Sequence, residues 1–592
     1  MPKKIRDTIH GYIYLTRIEE AVSQHPLVLR MHYIHQTSFT YLTYPNAHST
    51  RYPHSLGVMH IAGELFQSAL SNTDAATLSH IAYKVASFLG SDEINGIRQE
   101  FLSSQAGTTR ESLYEKLVWG GDQRAVGSAR LSVMDDASMY LPLIILFQAT
   151  RLAAMLHDIG HPPFSHIVEY ALLQACPPPE YLGHEAIGFE LLDLVIEDGT
   201  LKKRSAYALS PLFANACLSL CKEILTATDD EENGSAFYGL KSTLLSGPID
   251  ADRLDYVRRD AYSSGMVPTY DIRRMVDAAF FRLWPDDRHF EIAYKPNCLS
   301  SFENFFLARY DLYRYMIYHH DVARRNLSVQ KLIVSLLTDD KKLPAKVTKI
   351  GKEFFDVATG KLVDRYKPYE SFNDATLLNM FWRIDAEVKD PENGASPETV
   401  KAKLFLDVVL RRRNDYLRTL LKRPNDYGRF AKSVIQRLSV VHGEAEVEPA
   451  NAIPMLNARL RERLEAIKLE GFDENVAKFR LAKALEATMN KKVKGKLPNG
   501  NVEFHCYYVG TFNAGPQRRV EFSEPGEQHG ERTVAEDISP TIAMLEKAWQ
   551  FSPQLTVFFH SPGEHVSGQA QILRRTLEPY AVDGMVEYLR KP

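Results

Sequence analysis

The sequence is poor in cysteine and has almost no net charge. Its 592 residues include five cysteines, an odd number, and no CxxC pair occurs among them. A disulfide framework is therefore not expected, and a reducing, cytoplasmic compartment is the natural location. The formal net charge of −3 indicates neither the broad basic field of a nucleic-acid-binding protein nor the acidic excess of a disordered chain.

Long apolar runs and phosphate-binding glycine loops are also missing. The most apolar window, Leu141–Leu156, contains Pro142, Gln148 and Arg151, so it predicts a buried core helix and not a membrane span. The N-terminal segment has lysines but no apolar stretch behind them, which disfavours a signal peptide. No GxxxxGK[ST] motif is present, and a P-loop enzyme is therefore disfavoured.

Helical periodicity dominates the pattern of apolar residues. They recur three and four positions apart over most of the first 340 residues, as in HSLGVMHIAGELFQSAL, which predicts a mainly α fold. We expect a helical core over residues 1–340 with an insertion at 75–140, a helical extension over 341–490, and a small α+β region over 491–592. The last region is expected from two strand-like runs and a closing helix, at Val502–Tyr508, Leu555–His560 and Ala570–Leu589. Residues Ala402–Leu421 are expected to be helical.

The strongest chemical signal is the segment LHDIGHPPFSH. His157 and Asp158 place an imidazole beside a carboxylate, and His161 and His166 follow closely. Gly160 and the two prolines after His161 are expected to end the preceding helix. A lone His-Asp pair fits a capped helix with a surface carboxylate, but three histidines and an aspartate after an apolar helix indicate a site.

Two distant segments add residues of the same chemistry. His54 lies in HSTRYPHSLGVMH, and Asp252 lies in GPIDADRLDYVRRDAY among several arginines. With His157 and Asp158 they would form a mixed nitrogen and oxygen site suited to one divalent Mn, Mg, Fe or Zn ion. Arginines can grip phosphate oxygens through paired hydrogen bonds. Taken alone the acidic helix fits a salt-bridged surface helix, but the three segments together favour hydrolysis of a phosphate ester.

The order and surroundings of these motifs resemble the HD-domain deoxynucleoside triphosphate triphosphohydrolase family. The likeness covers residues 5–335 and includes YIHQTSFTYLTYPNAHSTRYPHSLGV, AAMLHDIGHPPFSH, GHEAIGFELL and FLARYDLYRYMIYHH. It implies an HD-domain helical core with extra helices. It also implies that the metal ligands are His54, His157, Asp158 and Asp252.

The resemblance assigns further roles residue by residue. It implies that His184 pairs with Glu185 and acts as a general acid or proton shuttle, while His161 and His166 line the phosphate site. The implied substrate contacts are Gln36, Arg51, Arg253, Tyr256, Asp260 and Arg309.

The implied reaction is attack of water on the α-phosphate of a (deoxy)nucleoside triphosphate, which releases nucleoside and intact triphosphate. A second Mg ion is expected to accompany the triphosphate. The resemblance further implies a homo-oligomer and an activating nucleotide; no membrane is expected.

Two alternatives stay open at this point. The first is another HD phosphohydrolase, either a nuclease on single-stranded nucleic acid or a phosphodiesterase on a signalling nucleotide, because one metal site serves several substrates. The near-neutral charge disfavours the nuclease. The second is a catalytically silent scaffold that binds nucleotide, which the presence of all four expected ligands disfavours.

Overall fold

The computed structural model confirms the predicted mainly α fold class with a small α+β unit near its C-terminal end. It describes residues 3–103, 137–197, 210–230, 234–284, 288–338, 342–359, 366–388, 395–439, 449–497, 502–509, 521–522, 533–534, 539–561 and 570–590. Among these residues, no helix combines the length and the apolar character that a membrane crossing requires.

The first half of the chain is built almost entirely of helices. They are α1 (Arg17–Ser23), α2 (Pro26–Leu29), α3 (Arg51–Asn72), α4 (Ala75–Leu89), α5 (Ser91–Ser103), α6 (Ala137–Leu156), α7 (His166–Ala175), α8 (His184–Glu197), α9 (Pro211–Thr226), α10 (Tyr238–Lys241), α11 (Ala251–Ser263) and α12 (Ile272–Asp277). The predicted insertion contributes α4 and α5, and its Gly120–Gly121 stretch lies outside the described residues.

The remaining helices complete the first core and build a second one. They are α13 (Leu299–Leu312), α14 (His320–Thr338), α15 (Ala345–Phe355), α16 (Tyr366–Glu370), α17 (Asp374–Glu387), α18 (Pro397–Leu410), α19 (Pro424–Ser439), α20 (Pro449–Leu469), α21 (Glu474–Val493), α22 (Pro540–Gln550) and α23 (Ala570–Arg590). Short 3-10 turns occur at Arg30–Tyr33, Ser38–Leu42 and Pro296–Cys298, and π-helical turns at Ser242–Ser246 and Tyr313–Ile317.

Helix α6 is the centre of the first core. It packs against α3, α4 and α9, and every residue from Tyr140 to Leu156 is buried, as predicted for this apolar window. Two of its polar side chains share one partner, because Gln148 and Arg151 both donate to the Glu19 carboxylate, at 2.8 and 2.7 Å. Pairing in this way offsets the cost of burying a charge.

Several strands appear where the sequence predicted only helix. Strands β1 (Lys3–Asp7) and β2 (Gly11–Leu15) form an antiparallel hairpin. Strands β3 (Ala279–Leu283) and β4 (Phe290–Tyr294) form another, which continues through β7 (Glu521–Phe522) and β8 (Thr533–Val534). Strands of five residues or fewer are too short to stand out against a helical pattern.

The C-terminal part has its own hydrophobic core, which spans Leu420 to Val586 and joins α19, α20, α21 and α23 to a small sheet. Strands β6 (Glu503–Tyr508) and β9 (Leu555–His560) pair antiparallel, which confirms both predicted strands, and α23 confirms the closing helix.

The helix expected over Ala402–Leu421 is wrong beyond Leu410. The chain turns there through Arg412, at φ +56°, and then pairs β5 (Arg418–Thr419) with β9. The division of the chain into three regions stays a prediction.

Candidate metal centre and active site

The imidazole ring of His54 is held by a hydrogen bond at Nδ1, which leaves Nε2 to face two carboxylates. It lies in the first turn of α3 and is fully buried. Its Nδ1 atom lies 2.8 Å from Oδ2 of Asp255, and its Nε2 atom lies 3.0 Å from Oδ1 of Asp252 and 3.6 Å from Oδ2 of Asp158. The Nδ1 contact fixes the ring so that Nε2 faces the two carboxylates.

His157 is oriented by the same principle. It follows directly after the end of α6, and its Nδ1 atom lies 2.8 Å from the carbonyl oxygen of Ala154. Its Nε2 atom lies 3.3 Å from Oδ1 of Asp158 and 3.9 Å from Oδ1 of Asp252. Both imidazoles therefore aim Nε2 at one point between the carboxylates.

The donor set fits a divalent metal ion. Ligand atoms of His54, His157 and Asp158 all lie within 4.8 Å of one another, and Asp252 borders the same point. The Nε2 atoms of both histidines are buried and make no hydrogen bond, which is costly for a polar atom unless a ligand takes its place. Two imidazole nitrogens and two carboxylates are donors suited to Zn, Mn or Fe. All four residues predicted as ligands thus meet at one centre.

Asp255 supports the centre from behind, and the sequence analysis missed it. Besides His54 it accepts hydrogen bonds from His10 at 2.6 Å and from Arg259 at 2.8 Å. Burial would raise the pKa of this carboxyl, but Arg259, His10 and His54 hold it well below its usual range. Asp255 lies three residues after Asp252 on α11, so helical spacing was a signal that could have found it.

The chain after the His-Asp pair turns sharply just before His166. Phe164 and Ser165 both adopt positive φ, +54° and +57°, a region that non-glycine residues rarely occupy. Asp374 accepts from the Phe164 amide at 2.6 Å, and Arg51 donates to the Ser165 hydroxyl at 3.0 Å. These contacts stabilise a strained turn that starts α7 at His166.

Arg51 was expected to face the substrate phosphates. In the structure its guanidinium also forms an ion pair with Asp158. Both side chains are buried, with 4% of each exposed. Arg51 still lines the cavity described below, so its expected contact with phosphate stays a prediction.

A second cluster of titratable groups adjoins the metal centre and consists of His161, His166, Glu169 and His184. The rings of His161 and His184 stack with centroids 3.8 Å apart. One carboxylate oxygen of Glu169 lies 2.9 Å from Nδ1 of His166, and the other lies 2.6 Å from Nδ1 of His184. The cluster touches the metal centre where His161 Nε2 lies 3.2 Å from Oδ1 of Asp158.

The predicted pairing of His184 with Glu185 requires a correction. The carboxylate on His184 is that of Glu169, on the neighbouring helix α7, whereas Glu185 is exposed at the cavity wall. Successive residues of a helix point about 100° apart, so a residue directly after His184 is badly placed to reach its ring. Glu169 lies three residues after His166 on α7, and this spacing could have revealed it.

Charges inside the second cluster shift its titration. Burial lowers the pKa of His184, but the hydrogen bond and the charge of Glu169 outweigh it, and the pKa is raised. Burial, Arg51 and His184 instead lower the pKa of His161 well below its usual range. The pKa values of the two stacked imidazoles are thus shifted in opposite directions, upward for His184 and downward for His161.

One cavity of about 480 Å³ joins the two clusters. Its described lining includes Gln36, Tyr256 and Asp260, three of the expected substrate contacts. The Oε1 atom of Gln36 and the Oδ1 atom of Asp260 are buried without a hydrogen bond. Burial raises the pKa of Asp260 to about 7.

The other two expected substrate contacts lie elsewhere among the described residues. Arg253 forms an ion pair with Asp250 and donates to the carbonyl of Gly247. Arg309 donates to the Tyr256 hydroxyl at 3.2 Å, so it approaches the cavity through that tyrosine. Neither arginine belongs to the described cavity lining, and their roles stay predictions.

Two imidazoles and two carboxylates on a helical core, beside a His-rich turn, define the HD class of proteins. Residues 148–236 match the family model of the HD domain. This match includes His157, Asp158 and the whole second cluster, whereas His54 and Asp252 flank it. The chain therefore contains a region, residues 148–236, that matches the HD domain.

The chain is similar in sequence to particular curated proteins. The chain is 22% identical over 404 residues to the deoxynucleoside triphosphate triphosphohydrolase SAMHD1 of Homo sapiens, covering 66% of this chain and 52% of that protein. It is 23% identical over 333 residues to an uncharacterized protein of Methanocaldococcus jannaschii, covering 56% of this chain and 49% of the relative. The chain therefore spans about half the length of these curated relatives.

A solved structure shares the fold. A phosphohydrolase from Bacteroides thetaiotaomicron superposes with a TM-score of 0.50 at 16% identity, covering 95% of this chain and 99% of the other. The likeness extends over nearly the whole chain, so the C-terminal part belongs to the shared architecture as well as the HD domain.

Proposed function

We propose that this chain is a metal-dependent phosphohydrolase that converts (deoxy)nucleoside triphosphates to nucleoside and intact triphosphate. The observation that carries the proposal is the single cavity in which the metal centre adjoins the cluster of His161, His166, Glu169 and His184. The name of the human relative, a deoxynucleoside triphosphate triphosphohydrolase, supports the substrate class.

The metal centre would hold one divalent ion through His54, His157, Asp158 and Asp252. Mn, Mg, Fe and Zn are the proposed candidates, with a second Mg accompanying the triphosphate. An ion bound there would offset phosphate charge and make a water molecule more acidic.

The protein's own residues supply positive charge and proton transfer. His161, His166 and Arg51 border the space next to the centre, where a triphosphate would lie. Attack of water on the α-phosphorus breaks the bond to the 5′ oxygen of the nucleoside, and that oxygen needs a proton as it leaves. His184, whose pKa is raised by Glu169, would donate this proton from Nε2, since Nδ1 is engaged by the carboxylate.

Three further expectations belong to the same proposal. A homo-oligomeric assembly and activation by a bound nucleotide depend on the resemblance alone, whereas a cytoplasmic location depends on the cysteine content.

A product assay tests the proposal directly. Purified protein is incubated with Mn²⁺ or Mg²⁺ and with dNTPs, NTPs or single-stranded DNA, singly and as mixtures that include GTP, and the products are separated by chromatography. We expect nucleoside and intact triphosphate in equal amounts, and their loss in the Asp158→Ala variant. Mononucleotides from DNA, or no nucleoside from any triphosphate, would contradict the proposal.

A further inference from the structure

The cavity does not end at the two clusters. It continues between α14 of the first core and two elements of the C-terminal part, α21 and β6. From α21 it is lined by Asn475, Lys478 and Phe479, and from β6 by Tyr507. The first core supplies the metal centre, and the C-terminal part contributes another wall of the same space.

The part of the cavity next to α14, α21 and β6 is rich in phenol rings. Tyr170, Tyr318 and Tyr507 all line it, and the neighbouring Tyr313 ring lies 5.5 Å from that of Tyr318. Burial raises the pKa of Tyr507 to about 12, so the hydroxyl is a neutral hydrogen-bonding group at physiological pH. Flat aromatic walls of this kind favour a flat aromatic ligand.

A buried carboxamide faces the same space with an unused acceptor. Asn326 on α14 lines the cavity and is 7% exposed. Its side chain lies next to the Tyr507 hydroxyl, and its Oδ1 atom is buried with no hydrogen-bond partner. A buried acceptor without a partner is costly unless a ligand supplies the donor.

One carboxylate joins the C-terminal wall of the cavity, formed by α21 and β6, to α14 of the first core. Glu486 on α21 accepts from Lys331 of α14 at 2.7 Å and from the backbone amide of Cys506 on β6 at 2.7 Å. Because Cys506 directly precedes Tyr507, this carboxylate links the strand that carries Tyr507 to the helix that carries Asn326. Glu486 is therefore a positioning residue of the wall.

We infer that this end of the cavity binds the nucleobase, with Asn326 accepting a hydrogen bond from the edge of the base and Tyr507 forming the opposing wall. The inference rests on the proposed function for the class of ligand. Each of the four DNA bases offers an N–H donor on its edge, and aromatic stacking is open to all of them. Base selection would then depend on the C-terminal part, although the chemistry resides in the HD domain.

Binding measurements separate this role from catalysis. The affinities of Mn²⁺-loaded full-length protein for the four deoxynucleosides and for inorganic tripolyphosphate are measured by calorimetry. In Asn326→Leu we expect deoxynucleoside affinity to fall about tenfold, the equivalent of one lost hydrogen bond, and tripolyphosphate affinity to stay unchanged. Tyr507→Phe, which removes the hydroxyl beside Asn326, should weaken the same ligands by a smaller factor. Tyr580→Phe removes a phenol of the C-terminal core away from the cavity lining and should change neither affinity.

Three results would overturn the inference. Wild-type protein that binds no deoxynucleoside, or an Asn326→Leu variant that binds deoxynucleosides like wild type, leaves no base site at this end. Equal loss of deoxynucleoside and tripolyphosphate affinity would make Asn326 a structural residue. The product assay is a separate measurement. If it detected no triphosphate, the proposed function would be wrong, but the binding measurements would still test the base site.

Discussion

Glu169 Oε1 lies 2.6 Å from Nδ1 of His184, fifteen residues further along the chain and on the next helix. The other oxygen of the same carboxylate holds His166. One acidic side chain therefore orients two imidazoles, and its charge raises the pKa of His184.

Replacing Glu169 by glutamine should change the pH dependence of the reaction. The variant keeps an acceptor beside His184 but loses the negative charge that raises the pKa of His184 against the effect of burial. His184 then loses its proton at lower pH. We expect the alkaline limb of the kcat profile to move to lower pH and kcat at mildly alkaline pH to fall by about 100-fold.

Glu185→Gln is the matched control, since Glu185 adjoins His184 in sequence but is exposed. Its pH profile should overlay that of wild type. A profile that moves in Glu185→Gln and stays fixed in Glu169→Gln would assign the pair to Glu185 instead.

Metal stoichiometry should distinguish two aspartates that lie two residues apart. Asp252 borders the metal centre, whereas Asp250 caps α11 through the Arg253 amide at 2.7 Å. Asparagine is also a good cap, so Asp250→Asn should keep about one ion per chain. Asp252→Asn should lose most of its metal while keeping its helical circular dichroism. Elemental analysis after gel filtration measures both, and equal metal content in the two variants would remove Asp252 from the ligand set.

Metal removal should lower thermal stability through the same centre. A ligand at 100 times its Kd stabilises the folded state by about 2.7 kcal/mol, which corresponds to a shift of a few degrees in apparent Tm. Chelation should reverse this shift in wild type and have no effect on His54→Ala. His48→Ala, at an exposed position, should respond to the chelator like wild type. A chelator effect that persists in His54→Ala would place the ion elsewhere.

Gly160 is required by the close approach of two backbones. A Cβ atom at this position would lie 2.0 Å from the carbonyl oxygen of His184 and 2.5 Å from the amide nitrogen of Gly188. Gly160→Ala must therefore displace the start of α8, and a displacement of about 1 Å can cost about 100-fold in rate. We expect this loss in kcat with metal content unchanged. Gly428→Ala is the control, because its nearest neighbour would be 3.8 Å away, and unaltered kcat in both variants would contradict the argument.

The sequence was sufficient to predict that His54, His157, Asp158 and Asp252 lie together, because their spacing and residue types are distinctive; their role as metal ligands stays a prediction. His157 and Asp158 end a continuous apolar helix, and a buried helix is readily predicted from such a run. Residues that act from other parts of the chain left weaker signals. Asp255 and Glu169 could have been found from helical spacing, but a single Asn326 or Tyr507 carries no pattern of its own, and only tertiary packing brings the two together.

The errors in the fold have equally local causes. The helix expected up to Leu421 ends early because Arg412 adopts a left-handed backbone conformation, which no composition rule indicates for arginine. The N-terminal hairpin depends on Gly11 at φ +77° and on strands of five residues. Short strands are stabilised by pairing, which a single sequence does not display.

Arg30 has a fully buried guanidinium that donates to three main-chain carbonyls, those of Ile159, His161 and Phe372, at 2.6, 3.0 and 2.8 Å. Two of these carbonyls belong to the turn that follows the His-Asp pair. Because these hydrogen bonds come from a protein side chain, they hold the turn in this conformation whether or not a metal ion is bound. The apoprotein should therefore keep the same backbone there, so that loading and exchange of the metal are limited by ligand desolvation and not by refolding of the turn.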